Sequence, residues 1–229
     1  MEKSKISVWL KKLLLCTLGY GIMSTGITVT LRTNFGVDPL SVLEEGLAQR
    51  LHTSFGNAAI LVMVVMLAAS ALVDRRGIGF GTLYSVAVLG PFVTVAQTLL
   101  RDVPPPTTLP TRILTLLLGF LMLCVGSALV VGIRFGYHVR DIILFYLEER
   151  LGIPYRWWRI GIDCLCVLAG YLLGGPIGVG TILCALGSGP LITVFVDRYD
   201  RWILQPLGLG DPRNRMTRGG RPEAGWAEE

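Results

Sequence analysis

Charged residues are scarce in this 229-residue chain: Asp, Glu, Lys and Arg make up 16% of it, against about a quarter in soluble domains. With 52% apolar residues and a mean hydropathy of +0.60, that deficit excludes an ordinary water-soluble domain. The same apolar richness excludes a disordered chain. Histidine is nearly missing, and His52 and His138 lack the spacing of a zinc site, so no metal is expected. The five cysteines (Cys16, Cys124, Cys164, Cys166, Cys184) all lie inside apolar runs and read as small buried hydrophobes. Cys164 and Cys166, two apart on a helix, point to different faces and suit no shared metal. No Ser-His-Asp or Cys-His arrangement occurs, and no run contains a close acidic pair. Catalytic residues and cofactors are therefore not expected, which argues against an enzyme.

What is present is a set of six apolar runs, at 13–31, 57–73, 79–100, 113–133, 157–174 and 176–196. A spanning helix needs about 20 mostly apolar residues. The first run is too long for a signal peptide and no small-residue cleavage pattern follows it. The net charge of +5 does not point to nucleic acid, because the basic residues sit at the ends of apolar runs. With both termini inside, 17 of the 21 lysines and arginines fall on the inner side and 4 on the outer, the bias that orients membrane helices. Tyr155, Trp157, Trp158 and Trp202 lie at inner run ends, as interfacial anchors do. The chain divides into a basic cytoplasmic N-terminus (1–12), a first three-helix unit (13–102), an external Pro/Thr linker (103–112), a second unit (113–204) and a cytoplasmic tail (205–229).

The two units match. At an offset of 100, Leu18, Gly19, Gly26, Phe35, Gly36, Leu47, Arg50 and Leu51 recur as Leu118, Gly119, Gly126, Phe135, Gly136, Leu147, Arg150 and Leu151. At an offset of 99, eight of the 18 positions from 78 to 95 are identical to their counterparts, where composition alone gives about one or two. Three spans per unit turn the second unit upside down relative to the first. The expected fold is thus all-α, polytopic, with six transmembrane helices as two inverted three-helix repeats, an architecture common in secondary transporters.

Each unit also carries a short helix after its Phe-Gly turn. Asp38-Pro39 is a good helix start, followed by an apolar stripe of Leu40, Leu43, Leu47 and Leu51, with Glu44, Glu45 and Arg50 off it. Val139, Ile143, Leu147 and Leu151 form the corresponding stripe, beside Glu148, Glu149 and Arg150. An amphipathic helix lying at the interface is the preferred reading. A re-entrant helix lining a cavity is the alternative, motivated by Arg140 and Asp141.

The candidate site residues follow from cost. Charges within a span are expensive, and Asp163 is the clearest, with Arg159 four residues before it on the same face. A structural ion pair is the plainer reading; a cation or proton site is the functional one. Gly79, Gly81 and Thr82, and again Gly178, Gly180 and Thr181, open two spans. Free N–H groups there can hold an anion, although close packing of small residues explains them more simply, and the lysine of a P-loop is missing. Gly90-Pro91 and Gly189-Pro190 fall mid-span, where proline removes a helix hydrogen bond and a kink or break is expected. Paired breaks in two halves point to a central transport site, and a purely structural kink explains them equally well.

The pattern of Gly36, Asp38-Pro39, Leu47 to Arg50, Ile78 to Thr82 and Gly90-Pro91, repeated by Arg140-Asp141, Arg150, Gly174 to Thr181 and Gly189-Pro190, resembles the YczE/YitT-like bacterial integral membrane proteins, and the YczE branch most. The resemblance covers roughly residues 13–200. It implies a multi-pass protein of the bacterial inner membrane from a largely uncharacterised family. Ser41 departs from it, standing where an aspartate matching Asp141 is expected. Two functions remain open. One is transport of a small solute, with Asp163 coupling and Arg140, Asp141, Thr82 and Thr181 near the pathway. The other is a non-transporting membrane partner of another protein. The lipid bilayer is a partner in both, and glycine-rich faces leave room for a homodimer. Asp163 facing an aqueous cavity favours transport; Asp163 in a sealed ion pair favours the partner role.

Overall fold

Long runs with few breakers become long helices. The computed structural model describes residues 2–73, 78–133, 135, 138–153, 155–207 and 209, and the side chains of these except 2–5, 141, 145, 155 and 156. Arg75, Arg76, Gly136, the Asp141 side chain and most of the tail lie outside the described residues. The chain order is α1 (Glu2–Leu31), α2 (Pro39–Arg50), α3 (Phe55–Val73), α4 (Phe80–Leu99), α5 (Leu109–Ile133), α6 (Val139–Leu151), α7 (Tyr155–Leu172) and α8 (Val179–Tyr199), then a π-helical turn at Asp200–Leu204. The fold is all-helical, with no strand among the described residues. Five helices (α1, α3, α4, α5 and α8 with its π turn) are long and apolar enough to cross a membrane. Helix α7, at the place of the fifth apolar run, falls short of that level because it holds Arg156, Arg159 and Asp163. Its outer face is still apolar: Leu165, Leu168, Tyr171 and Leu172 are exposed.

Helices α1 and α5 meet at the centre, backbone against backbone. A Cβ on Gly26 would lie 2.5 Å from Leu123 N and 2.7 Å from Gly119 O. A Cβ on Gly126 would lie 2.5 Å from Met23 N and 2.6 Å from Gly19 O. These four glycines are the ones the repeat pairs, so each unit makes the same contact on the other. Without a water-driven hydrophobic force between spans, such close approach is what holds membrane helices together.

The same reciprocity governs the turns. Phe35 O accepts from Gly180 N at 2.7 Å, and Phe135 O accepts from Gly81 N at 3.0 Å. Each Phe-Gly turn thus meets the start of the last helix of the opposite unit, satisfying a donor left over at that helix end. Gly36, at φ +92°, sits so close there that a Cβ would come 2.6 Å from Gly178 N.

Two expectations change on contact with the structure. Helices α4 and α8 run through Pro91 and Pro190 without a break. In both, a threonine hydroxyl one turn on caps the preceding glycine carbonyl, Thr94 to Gly90 at 3.1 Å and Thr193 to Gly189 at 3.0 Å. Helix α2, in turn, does not lie with one apolar face down. It is wedged against α3, α7 and α8, burying Glu44, Ser41 and Ala48 while Leu51 of the expected stripe is 52% exposed. Gly170 and Gly46 let it press on α7: a Cβ on Gly170 would lie 2.6 Å from Leu43 N.

Because the α1–α5 contact is with backbone atoms, no rotamer change can relieve it. Gly126→Ala is expected to cost about 2 kcal/mol and to lower the melting temperature in detergent. Gly21→Ala, with nothing within 4 Å of its Cβ, is expected to be neutral. Equal losses in both variants would contradict the crossing.

Candidate functional site

The short helices and α7 bring five charged side chains together. Asp38 caps α2, its Oδ2 accepting from Ser41 N at 3.3 Å, with Pro39 supplying the first helical residue. Two turns on, α2 carries Glu44. Arg140 stands in the first turn of α6, which Ser70 of α3 anchors by donating to Val139 O at 3.0 Å. Asp163 and Arg159 lie one turn apart on α7.

Asp163 is the hub. Arg140 Nη1 reaches its Oδ1 at 3.2 Å, and Arg159 Nε reaches its Oδ2 at 3.4 Å. The Arg140 and Asp163 side chains are 13% and 14% exposed, that of Arg159 31%. Glu44 is deeper, at 2%, and its Oε1 has no hydrogen-bond partner among the described residues. Helix α2 is too short to span a membrane. Burial, and then the Asp38 carboxylate, push the Glu44 carboxyl well above the usual carboxylate range, while the Arg140 guanidinium opposes them. Cys166, one turn beyond Asp163, feels all four of Arg140, Asp163, Asp38 and Glu44. With Glu44 neutral, two acids face two guanidinium groups and the cluster is balanced.

Sequence reasoning finds Asp163, Arg159 and Arg140, and the structure unites them. The side chain of Asp141 lies outside the described residues. Thr82 and Thr181 are elsewhere, buried at the starts of α4 and α8. Thr82 Oγ1 accepts from Gly79 N at 3.3 Å. The Gly81 and Gly180 N–H groups already donate to Phe135 and Phe35, so these two donors are occupied by protein rather than open to an anion. Glu44, Asp38 and Cys166 are read in the sequence as an off-stripe residue, a helix cap and a small buried hydrophobe, not as site residues. One signal for Glu44 was available: the repeat pairs it with Leu144, which is fully buried, so its position faces the core.

A separate cleft of about 310 Å³ is lined by Glu45 and Gln49 of α2 together with Arg32, Asn34, Gln97 and Arg101. The two oxygens of Asp163 are shared between two guanidinium groups. Arg140→Gln is expected to cost about 1–2 kcal/mol, since it removes one of the two guanidinium partners of a largely buried carboxylate. The double variant Arg140→Gln/Asp163→Asn should lose at least ~1 kcal/mol less than the two single losses added together, as read by melting in detergent. Strict additivity would contradict the pairing.

Comparison with known proteins agrees with a membrane assignment. An uncharacterised protein of Haemophilus influenzae is 29% identical over 177 residues, 77% of this chain and 79% of that protein. The uncharacterised membrane protein YczE of Bacillus subtilis is 25% identical over 175 residues, 76% of this chain and 80% of its own length. YyaS of the same organism, also uncharacterised, is 21% identical over 187 residues, 82% of this chain and 93% of its own. No solved structure matches the chain significantly. A model of a family of unknown function, DUF6198, matches residues 10–197, which takes in all eight helices apart from a few terminal residues. The similarity to YczE is consistent with the family resemblance read in the sequence, and the chain is a membrane protein that belongs to the DUF6198 family.

Proposed function

We propose that the protein moves a small solute across the membrane, with the Arg140–Asp163–Glu44 cluster as its central site and the two units as inverted repeats that rock against each other. The observation that carries this reading is Glu44. A cluster kept only to fasten helices satisfies its polar atoms, whereas here a buried carboxyl oxygen has no hydrogen-bond partner among the described residues. Charged groups at membrane depth are costly and mark solute or ion pathways. The reciprocal α1–α5 and Phe-Gly contacts support the inverted arrangement, in which a site at the junction of repeats is exposed alternately to either side. The cleft at Glu45 and Gln49 serves as the mouth on the linker side, with both termini cytoplasmic.

A second reading, a non-transporting partner that anchors or modulates another membrane protein, is favoured by one feature. Asp163 is held by two guanidinium groups and is 14% exposed, which is the sealed ion pair a scaffold needs.

A thermal-shift screen separates the two. The purified protein is melted in detergent against metabolites and inorganic ions, beside Asp163→Asn. Transport predicts at least one compound that raises the melting temperature by several degrees in proportion to its concentration, with the shift lost in the variant. Silence across the library, with the variant responding like the wild type, contradicts it.

A further inference from the structure

The Glu44 carboxyl is 2% exposed, and its Oε1 has no hydrogen-bond partner among the described residues. From α2 it faces Asp38 at the helix cap. From α6 comes Arg140, whose partner Asp163 on α7 is paired in turn with Arg159, and the Cys166 thiol of α7 lies in the field of Glu44. Helix α8 contributes Cys184, which feels Asp38. Helix α3 contributes no titratable group, its residues being apolar or neutral throughout. Arg140 is therefore the one cation acting on Glu44 among the described groups, and it is engaged with Asp163 at 3.2 Å. Asp163 has a second cation, Arg159, and does not depend on Arg140 alone. The repeat comparison isolates the same three positions: Leu40, Leu144 and Met63 stand in the opposite unit where Arg140, Glu44 and Asp163 stand here. All three of those counterparts are buried and apolar. The charges are thus confined to one of two equivalent places, which packing alone does not require.

We infer that Glu44 is a proton-binding carboxyl and that its ionisation draws Arg140 from Asp163 to itself. The inference deepens the transport reading, on which it rests, by naming the proton as the coupled ion. The step is balanced. The Glu44 carboxylic acid gives its proton to water and becomes a carboxylate; no other covalent bond changes. Arg140 keeps its charge and exchanges one carboxylate partner for another, while Asp163 retains Arg159. With the proton on, two acids and two guanidinium groups cancel. With it off, the cluster carries one net negative charge, which favours the return of a proton or the entry of a cationic solute. Since Arg140 belongs to α6 and its two carboxylate partners to α2 and α7, the exchange shifts a contact between the two units.

Infrared difference spectroscopy during a pH titration of the solute-free protein tests this directly. A protonated-carboxyl C=O band is expected at neutral pH, fading as pH rises, and missing from Glu44→Gln. If that variant does not fold, the wild type labelled with 13C-glutamate decides: the band must move with the label. In Asp163→Asn, Arg140 is released to Glu44, so the midpoint should fall by about one pH unit or more. Lack of the band, its persistence in Glu44→Gln, or its failure to move with the label overturns the proton assignment. An unchanged midpoint in Asp163→Asn overturns the exchange of Arg140. No solute is present in either arm, so failure here is distinct from failure of the thermal-shift screen, which tests transport itself.

Discussion

Helices α1 and α5 reach backbone contact because Gly19, Gly26, Gly119 and Gly126 have no side chains at their crossing. In a membrane, where lipid competes on equal terms with apolar side chains, such contact is a main source of association. Everything else depends on it. The crossing brings the Phe-Gly turn at the end of each of these helices to the start of the last helix of the other unit, where Phe35 and Phe135 serve Gly180 and Gly81. Those turns aim α2 and α6, and the two short helices then deliver Asp38, Glu44 and Arg140 to α7.

The two units agree in their scaffold and differ in their chemistry. The contact of α1 with α4 is matched by that of α5 with α8, and that of α2 with α7 by that of α3 with α6. The match fails between α3 and α4. Gly56 of α3 packs on Gly90 of α4, a Cβ there lying 2.6 Å from Gly90 O, while Gly189 of α8 has nothing within 4 Å. Helix α7 carries Arg156 at the position of Gly56 and stands off from α8. It is also α7 that holds Asp163 and Arg159. The unit whose outer pair of helices is looser is therefore the one that carries the buried ion pairs.

Much of this was legible in the sequence, because hydropathy and repetition are local or periodic signals. The run at 57–73 became Phe55–Val73, and that at 79–100 became Phe80–Leu99. Helix α1 starts earlier than its apolar run since Lys3, Lys5, Lys11 and Lys12 end a hydrophobic stretch without ending a helix. The position of Glu44 was harder. Stripe reasoning assumes one wet face, but α2 is covered on several sides by helices distant in sequence, so its polar face points inward as well. The prolines leave their helices unbroken for a related reason. A lone proline signals a break, yet neighbouring groups in a packed helix accommodate it, and Thr94 and Thr193 support the same turn in both α4 and α8.

The central claim is that the charge cluster around Asp163 is a site reached from water and not a sealed fastener. Cys166 reports on it, being 4% exposed and within the field of four of the charged side chains. With the other four cysteines replaced by alanine or serine, the protein in oriented vesicles is treated with a small charged methanethiosulfonate from each side in turn. The account predicts that Cys166 is modified from both sides, and that lowering the pH on one side alters the balance between them. Complete protection of Cys166 from both sides at every pH, in protein that remains folded, contradicts it.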